Sequence, residues 1–207
     1  MNLPVNRRDF LRTSCGIGAG VALSGIAGTS FAAQKKLDWK LCCAAYSFNQ
    51  LTFFDMLEKV KQLGLSYVEG FNWQKLSSEK PGVKTDVNMS AADRREMRGR
   101  IADAGMKMEF CYINRLQEEN AARKTFEWGK DLGVKTFVVE PPFEAYEMLD
   151  KLCNEFEMNL AIHNHPSPSK YFNPDTTLKV CKNSGKRIGA CCDTGHWVRS
   201  GFDRIEA

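Results

Sequence analysis

ThrPheValValGluPro at residues 136–141, AsnLeuAlaIleHisAsnHisPro at 159–166 and ArgIleGlyAlaCysCysAspThrGlyHis at 187–196 are the stretches on which the fold is decided. Each is a short apolar run ending in a group that can bind a metal or move a proton: Glu140, His165 or Asp193. Side chains alternate faces along a strand. Val138 therefore shares a face with Glu140, Ala161 and His163 with His165, and Gly189 and Cys191 with Asp193. If the strands are parallel neighbours, a carboxylate, an imidazole and a second carboxylate stand on one rim.

Outward from these runs the chain alternates strand and helix. Strand one is read at 40–48, then a helix at 53–63 closed by Gly64, strand two at 66–70 and a long polar loop at 72–89. Ser90 is an N-cap candidate with Asp93 three residues on, and its helix ends before Gly105. Strand three (107–113), a helix at 118–132 closed by Gly133, strand four, a helix at 143–157, strand five, a helix at 174–183 and strand six follow. Such βα repeats predict an α/β fold with a parallel sheet and helices outside. No GxGxxG follows strand one and no P-loop is present, so nucleotide folds are unsupported. Ser47, Glu69, Glu140, His165 and Asp193 instead gather at strand ends, which is the pattern of a (β/α)8 TIM barrel.

About six βα units are legible, where a closed barrel has eight in roughly 250 residues. The expectation is an incomplete barrel at 34–207, truncated at its C-terminus. An open six-strand sheet is the alternative, and it would leave strands one and six as unpaired edges.

Residues 1–33 read as a twin-arginine export signal: Arg7–Arg8 and Phe10–Leu11, a weakly apolar Gly- and Ala-rich stretch, then PheAlaAla at 31–33. The apolar stretch is shorter than the roughly 20 residues a membrane span needs. The expectation is a periplasmic or secreted protein that engages the twin-arginine machinery and has no stable membrane anchor. Removing Arg7, Arg8, Arg12 and Asp9 from the 29 basic and 25 acidic residues leaves 26 and 24. That balance gives no sign of nucleic-acid binding by charge alone. Seven cysteines remain without a CxxC pair and read as small buried thiols.

ValValGluProPro, IleHisAsnHisPro and CysAspThrGlyHisTrp, in this order and spacing, resemble the sugar phosphate isomerase/epimerase family of xylose-isomerase-like barrels. The resemblance runs from AlaTyrSerPhe at 45–48 to the last residue. It implies a divalent ion of the Mn²⁺, Mg²⁺ or Co²⁺ type held by Glu140 and Asp193, with Glu140 also a base. It implies a sugar substrate touched by His196, and Glu69 matches the acidic residue that many members carry after strand two. The family's later His and Glu ligands have no counterpart here. The implied reaction is proton abstraction beside a carbonyl through an enediolate, giving isomerisation or epimerisation. Lyase chemistry on oxidised sugars or glycosides, an inactive or sugar-binding fragment, and an apurinic endonuclease remain as alternatives. Asp193 also suits a helix N-cap and Glu140 a loop cap. His163 reads as a core histidine, His165 as a substrate contact, and Trp197 as either a sugar platform or a packing aromatic. The oligomeric state is open.

Overall fold

The computed structural model describes residues 39–207; the export signal expected at 1–33 lies outside them. Six strands form one parallel sheet in chain order: β1 (Cys42–Ala44), β2 (Tyr67–Phe71), β3 (Lys107–Tyr112), β4 (Thr136–Val139), β5 (Asn159–His163) and β6 (Ile188–Cys191). Between them run α1 (Phe53–Gln62), α2 (Ala91–Asp103), α3 (Glu119–Leu132), α4 (Tyr146–Phe156) and α5 (Pro174–Asn183), and α6 (Thr194–Arg199) follows β6. This is a partial TIM-barrel-type α/β fold.

Local chemistry sets the helix ends. Thr52 caps α1 by accepting from the Asp55 amide, Ser90 caps α2 through the Asp93 amide as expected, and Asn173 caps α5 with Pro174 next. Gly64, Gly105 and Gly133 follow α1, α2 and α3 with φ of 70°, 72° and 84°, the left-handed region that glycine enters without strain.

The sheet's outer face is sealed beneath the helices. Val68, Phe137, Val139 and Ile162 are completely buried there. Gly129 of α3 lies so close to β4 that a Cβ would come within 2.4 Å of the Phe137 ring, so glycine is what lets this helix seat.

Two expected boundaries change. The strand read at 40–48 is only Cys42–Ala44, and AlaTyrSerPhe coils into a 3-10 turn that carries the exposed Tyr46 over the rim. The ladder also stops at Val139, His163 and Cys191, so Glu140, His165 and Asp193 stand just beyond the strands. Pro141 and Pro166 lack the N–H a longer ladder would need. Asn164 continues the β5–β6 pairing instead: its Oδ1 accepts from the Asp193 amide at 2.8 Å and its Nδ2 donates to the Asp193 carbonyl at 3.0 Å. The 72–89 loop is ordered, with an antiparallel bridge between Lys75 and Lys84.

Candidate active site

The C-terminal ends of β1–β6 open into a cavity of about 730 Å³, lined by Glu69, Tyr112, His163, His165, Asp193 and His196 among others. All three histidines of the chain meet here, and one ligand atom from each lies within 4.8 Å of the others.

His163 occupies the middle. Its Nδ1 lies 3.5 Å from Glu140 Oε1, and its Nε2 lies 3.7 Å from Asp193 Oδ2. The two carboxylates thus flank a single imidazole. Nδ1 is buried and has no closer partner. The core-histidine reading places His163 at the right depth but misses that it faces the cavity.

Glu140 stands behind the histidines. It bonds His165 Nδ1 directly and accepts from the Ser169 hydroxyl at 2.7 Å. Burial alone would raise its pKa, but the His163 imidazole 3.5 Å away and the hydrogen bonds from His165 and Ser169 overcome that and hold it at about 2. Glu140 is therefore a fixed anion. Its partner His165 is left with Nε2 uncommitted, the arrangement in which a carboxylate orients a ligating imidazole.

Asp193 does two things at once. Oδ1 caps α6 by accepting from the His196 amide at 2.9 Å. Oδ2 faces the imidazoles, 3.5 Å from His196 Nε2. The helix-cap reading holds for Oδ1, and Oδ2 is left turned towards the imidazoles.

Arg199 donates to His196 Nδ1. A guanidinium has no acceptor, so Nδ1 is the bare nitrogen and Nε2 carries the proton. Burial lowers the His196 pKa; Asp193 raises it, and His165, Arg199 and His163 lower it further. His196 is a neutral donor facing Asp193 and the cavity, and its nitrogens are both committed.

Glu69 differs from the other carboxylates. It lines the cavity, burial raises its pKa with His163 opposing, and no hydrogen bond reaches it among the described residues. A wall of rings rises beside it: Phe71–Trp73 at 4.7 Å between centroids, Trp73–Tyr112 at 5.7 Å and Tyr112–His163 at 5.4 Å. Burial, then Glu140 and Glu69, push the Tyr112 hydroxyl up to about 12.

The structure thus brings Glu69, His165, Asp193 and His196 to the cavity and sets Glu140 against it. It does not bring Trp197, which is 4 % exposed and packed inside. Consecutive helical residues face different directions, so with His196 turned to the cavity, Trp197 turns to the core. Tyr112, Trp73 and Arg199 escaped the sequence reading. Tyr112 had a signal, since it ends β3 as the other site residues end theirs; Trp73 and Arg199 lie in a loop and a short helix without a motif.

No protein-family model matches the sequence, and no curated protein does. Among solved structures, an uncharacterized protein from Parabacteroides distasonis ATCC 8503 superposes with a TM-score of 0.71 at 27% identity, over 82% of this chain and 69% of that one. A sugar phosphate isomerase/epimerase from the same organism gives 0.61 at 18% identity, over 86% and 74%. A xylose isomerase-like TIM barrel protein from Mycobacterium smegmatis, in complex with magnesium, gives 0.60 at 12% identity, over 80% and 68%. The fold expected from the strand-end pattern is therefore the fold found, a partial TIM-barrel-type α/β architecture.

Proposed function

We propose that the protein is a metal-assisted isomerase or epimerase of sugars, which moves a proton at the carbon next to a carbonyl through an enediolate. The observation that carries this reading is the convergence of all three histidines with Glu69, Glu140 and Asp193 at one open cavity. The likeness to a sugar phosphate isomerase/epimerase supports it at the level of fold.

The donor set fits a divalent ion. His163 and His165, whose ligand atoms lie within 4.8 Å of each other, would hold it, with Asp193 Oδ2 3.7 Å from His163 Nε2 and Glu140 orienting His165 from behind. Two imidazoles and a carboxylate suit Mn²⁺ or Co²⁺ better than Mg²⁺, which prefers oxygen ligands. When bound, such an ion polarises the carbonyl oxygen of the sugar.

The protein groups divide the remaining work. Glu140, at about 2, is too weak a base for neutral pH. Glu69, raised by burial and free of hydrogen bonds, is the better base and takes the proton. Tyr112 stays protonated at the phenol and donates to a substrate hydroxyl, while His196 keeps its Nε2 proton towards Asp193. The Phe71–Trp73 wall keeps water from one side of the site. The Arg7–Arg8 pair carries the protein to the periplasm through the twin-arginine machinery. Replacing both arginines by lysine should stop export.

The test is solvent deuterium exchange into a panel of aldoses and ketoses with added Mn²⁺, paired with calorimetric Mn²⁺ titration. Exchange is expected in the wild type and is lost in Glu69→Gln, while Mn²⁺ binding survives that substitution. Absence of exchange with every sugar, despite bound Mn²⁺, overturns the reading. Exchange with release of an aglycone would move it to the lyase alternative.

A further inference from the structure

We propose that the substrate is a glycoside that keeps a free carbonyl at its reducing-end sugar, rather than a monosaccharide, and that a second cavity built around Gln74 receives its second, uncharged and hydroxyl-rich group. This rests on the sugar reading above. A cavity of about 660 Å³ adjoins the histidine cavity and shares Tyr46, Phe71 and Trp73 with it. One aromatic cluster thus serves both, with Tyr46 and Trp73 centroids 6.2 Å apart.

The two cavities differ in chemistry. The first holds carboxylates and imidazoles. The second is lined by the amides and hydroxyls of Asn49, Gln50, Thr52, Gln74, Ser77 and Ser78, and Lys75 is the one charged residue on its wall. Amides and hydroxyls both donate and accept, which matches a sugar hydroxyl and not an anion.

Gln74 gives the second, independent sign. It is 3 % exposed, and its Nε2 donates to the Leu51 carbonyl at 3.1 Å. Its Oε1 is buried and accepts nothing. A buried acceptor without a donor is costly, and a ligand hydroxyl would supply the donor. The residue cannot easily turn away. Its carbonyl accepts from the Thr85 amide at 2.9 Å, and the Thr85 hydroxyl donates to the Phe71 carbonyl at 2.7 Å. The ordered 72–89 loop thus holds an unsatisfied acceptor beside an aromatic surface, next to the site of chemistry.

The experiment is calorimetric binding by the full chain of glucose and of maltose and cellobiose, its simplest glycosides of opposite linkage. The disaccharides are expected to bind at least about tenfold tighter than glucose, the order expected of added hydrogen bonds in a desolvated pocket. Gln74→Leu should bring that ratio close to one. Should Gln74→Leu fail to fold, Gln50→Trp on the exposed turn fills the cavity from the surface and should do the same. A wild-type ratio near one, a ratio unmoved by Gln50→Trp, or no sugar binding overturns the proposal. Deuterium exchange is read separately, into the monosaccharide panel and into the reducing-end sugars of maltose and cellobiose. Its loss with the ratio intact removes the isomerase reading and leaves the second subsite; exchange with a ratio near one does the reverse.

Discussion

The two faces of the single sheet follow different rules, and β5 displays both. Leu160 and Ile162 point outward and are 1 % and 0 % exposed, whereas Ala161 and His163 between them point inward and are only partly buried. The same holds on β2 and β3, where Val68 and Met108 are sealed while Tyr67, Glu69, Phe110 and Tyr112 are half-covered. Among the described residues the inner face lines the cavity, with Phe71 and Val138 its buried members. Stability is therefore concentrated on the outer face and chemistry on the inner one. Substitutions on the two faces should separate cleanly, and that separation is what the following measurements challenge.

The largest effect is expected at Phe137→Ala. Phe137 is completely buried, with the Phe126 ring 5.2 Å away and Gly129 against its edge. Removing it should cost about 3–5 kcal/mol, read as a fall in the urea midpoint. A loss below about 1 kcal/mol would mean that the outer layer does not carry the fold.

Next is the acid limb. The folded-state pKa of Glu140, about 2, lies below its ordinary value of 4.5. Its contribution is thus present above about pH 4.5 and is lost as pH falls towards 2, worth roughly 2–3 kcal/mol. Glu140→Gln should flatten the dependence of the urea midpoint on pH between 5 and 2. An unchanged slope would show that this inner-rim carboxylate is not the anion its partners imply.

Gly129→Ala follows. The added Cβ meets the Phe137 ring at 2.4 Å and Met158 at 3.3 Å, neither free to withdraw. Overpacking of about 1–3 kcal/mol should exceed the helix-propensity gain of about 1 kcal/mol. A stabilised variant would mean that α3 can lift from the sheet at little cost.

The comparison also explains what the sequence could reveal. Alternation of apolar runs with capped helices is a local signal, so the six units, the Ser90 cap and the three closing glycines were all legible. The strand-end polar residues were legible because a strand turns a fixed set of side chains to one face. What was not legible depends on loops. Gln74, Trp73 and Arg199 reach their cavities through a bridge, a turn and a six-residue helix that no periodicity announces. The division of labour between Glu69 and Glu140 was hidden for a different reason. Both end their runs alike, and only the partners around them, three for Glu140 and none for Glu69, separate a fixed anion from a candidate base.

The smallest effect on stability is expected at Tyr112→Phe. The ring stays, and with it the edge contacts to Trp73 and His163. The hydroxyl forms no hydrogen bond among the described residues and faces the cavity, so its loss should change stability by no more than about 0.5 kcal/mol. Binding should respond differently. With its pKa pushed up to about 12, the phenol remains a donor through neutral pH. It lies between the aromatic wall and the histidines, where a sugar hydroxyl would have to pass. Losing one such bond should weaken sugar binding by roughly 2- to 10-fold. The two readouts are the urea midpoint and calorimetric affinity for the sugars above. Stability loss beyond about 1 kcal/mol with affinity intact would place Tyr112 among the residues that hold the sheet together, and the rule that the inner face is reserved for chemistry would fail at the strand where it is most exposed to test.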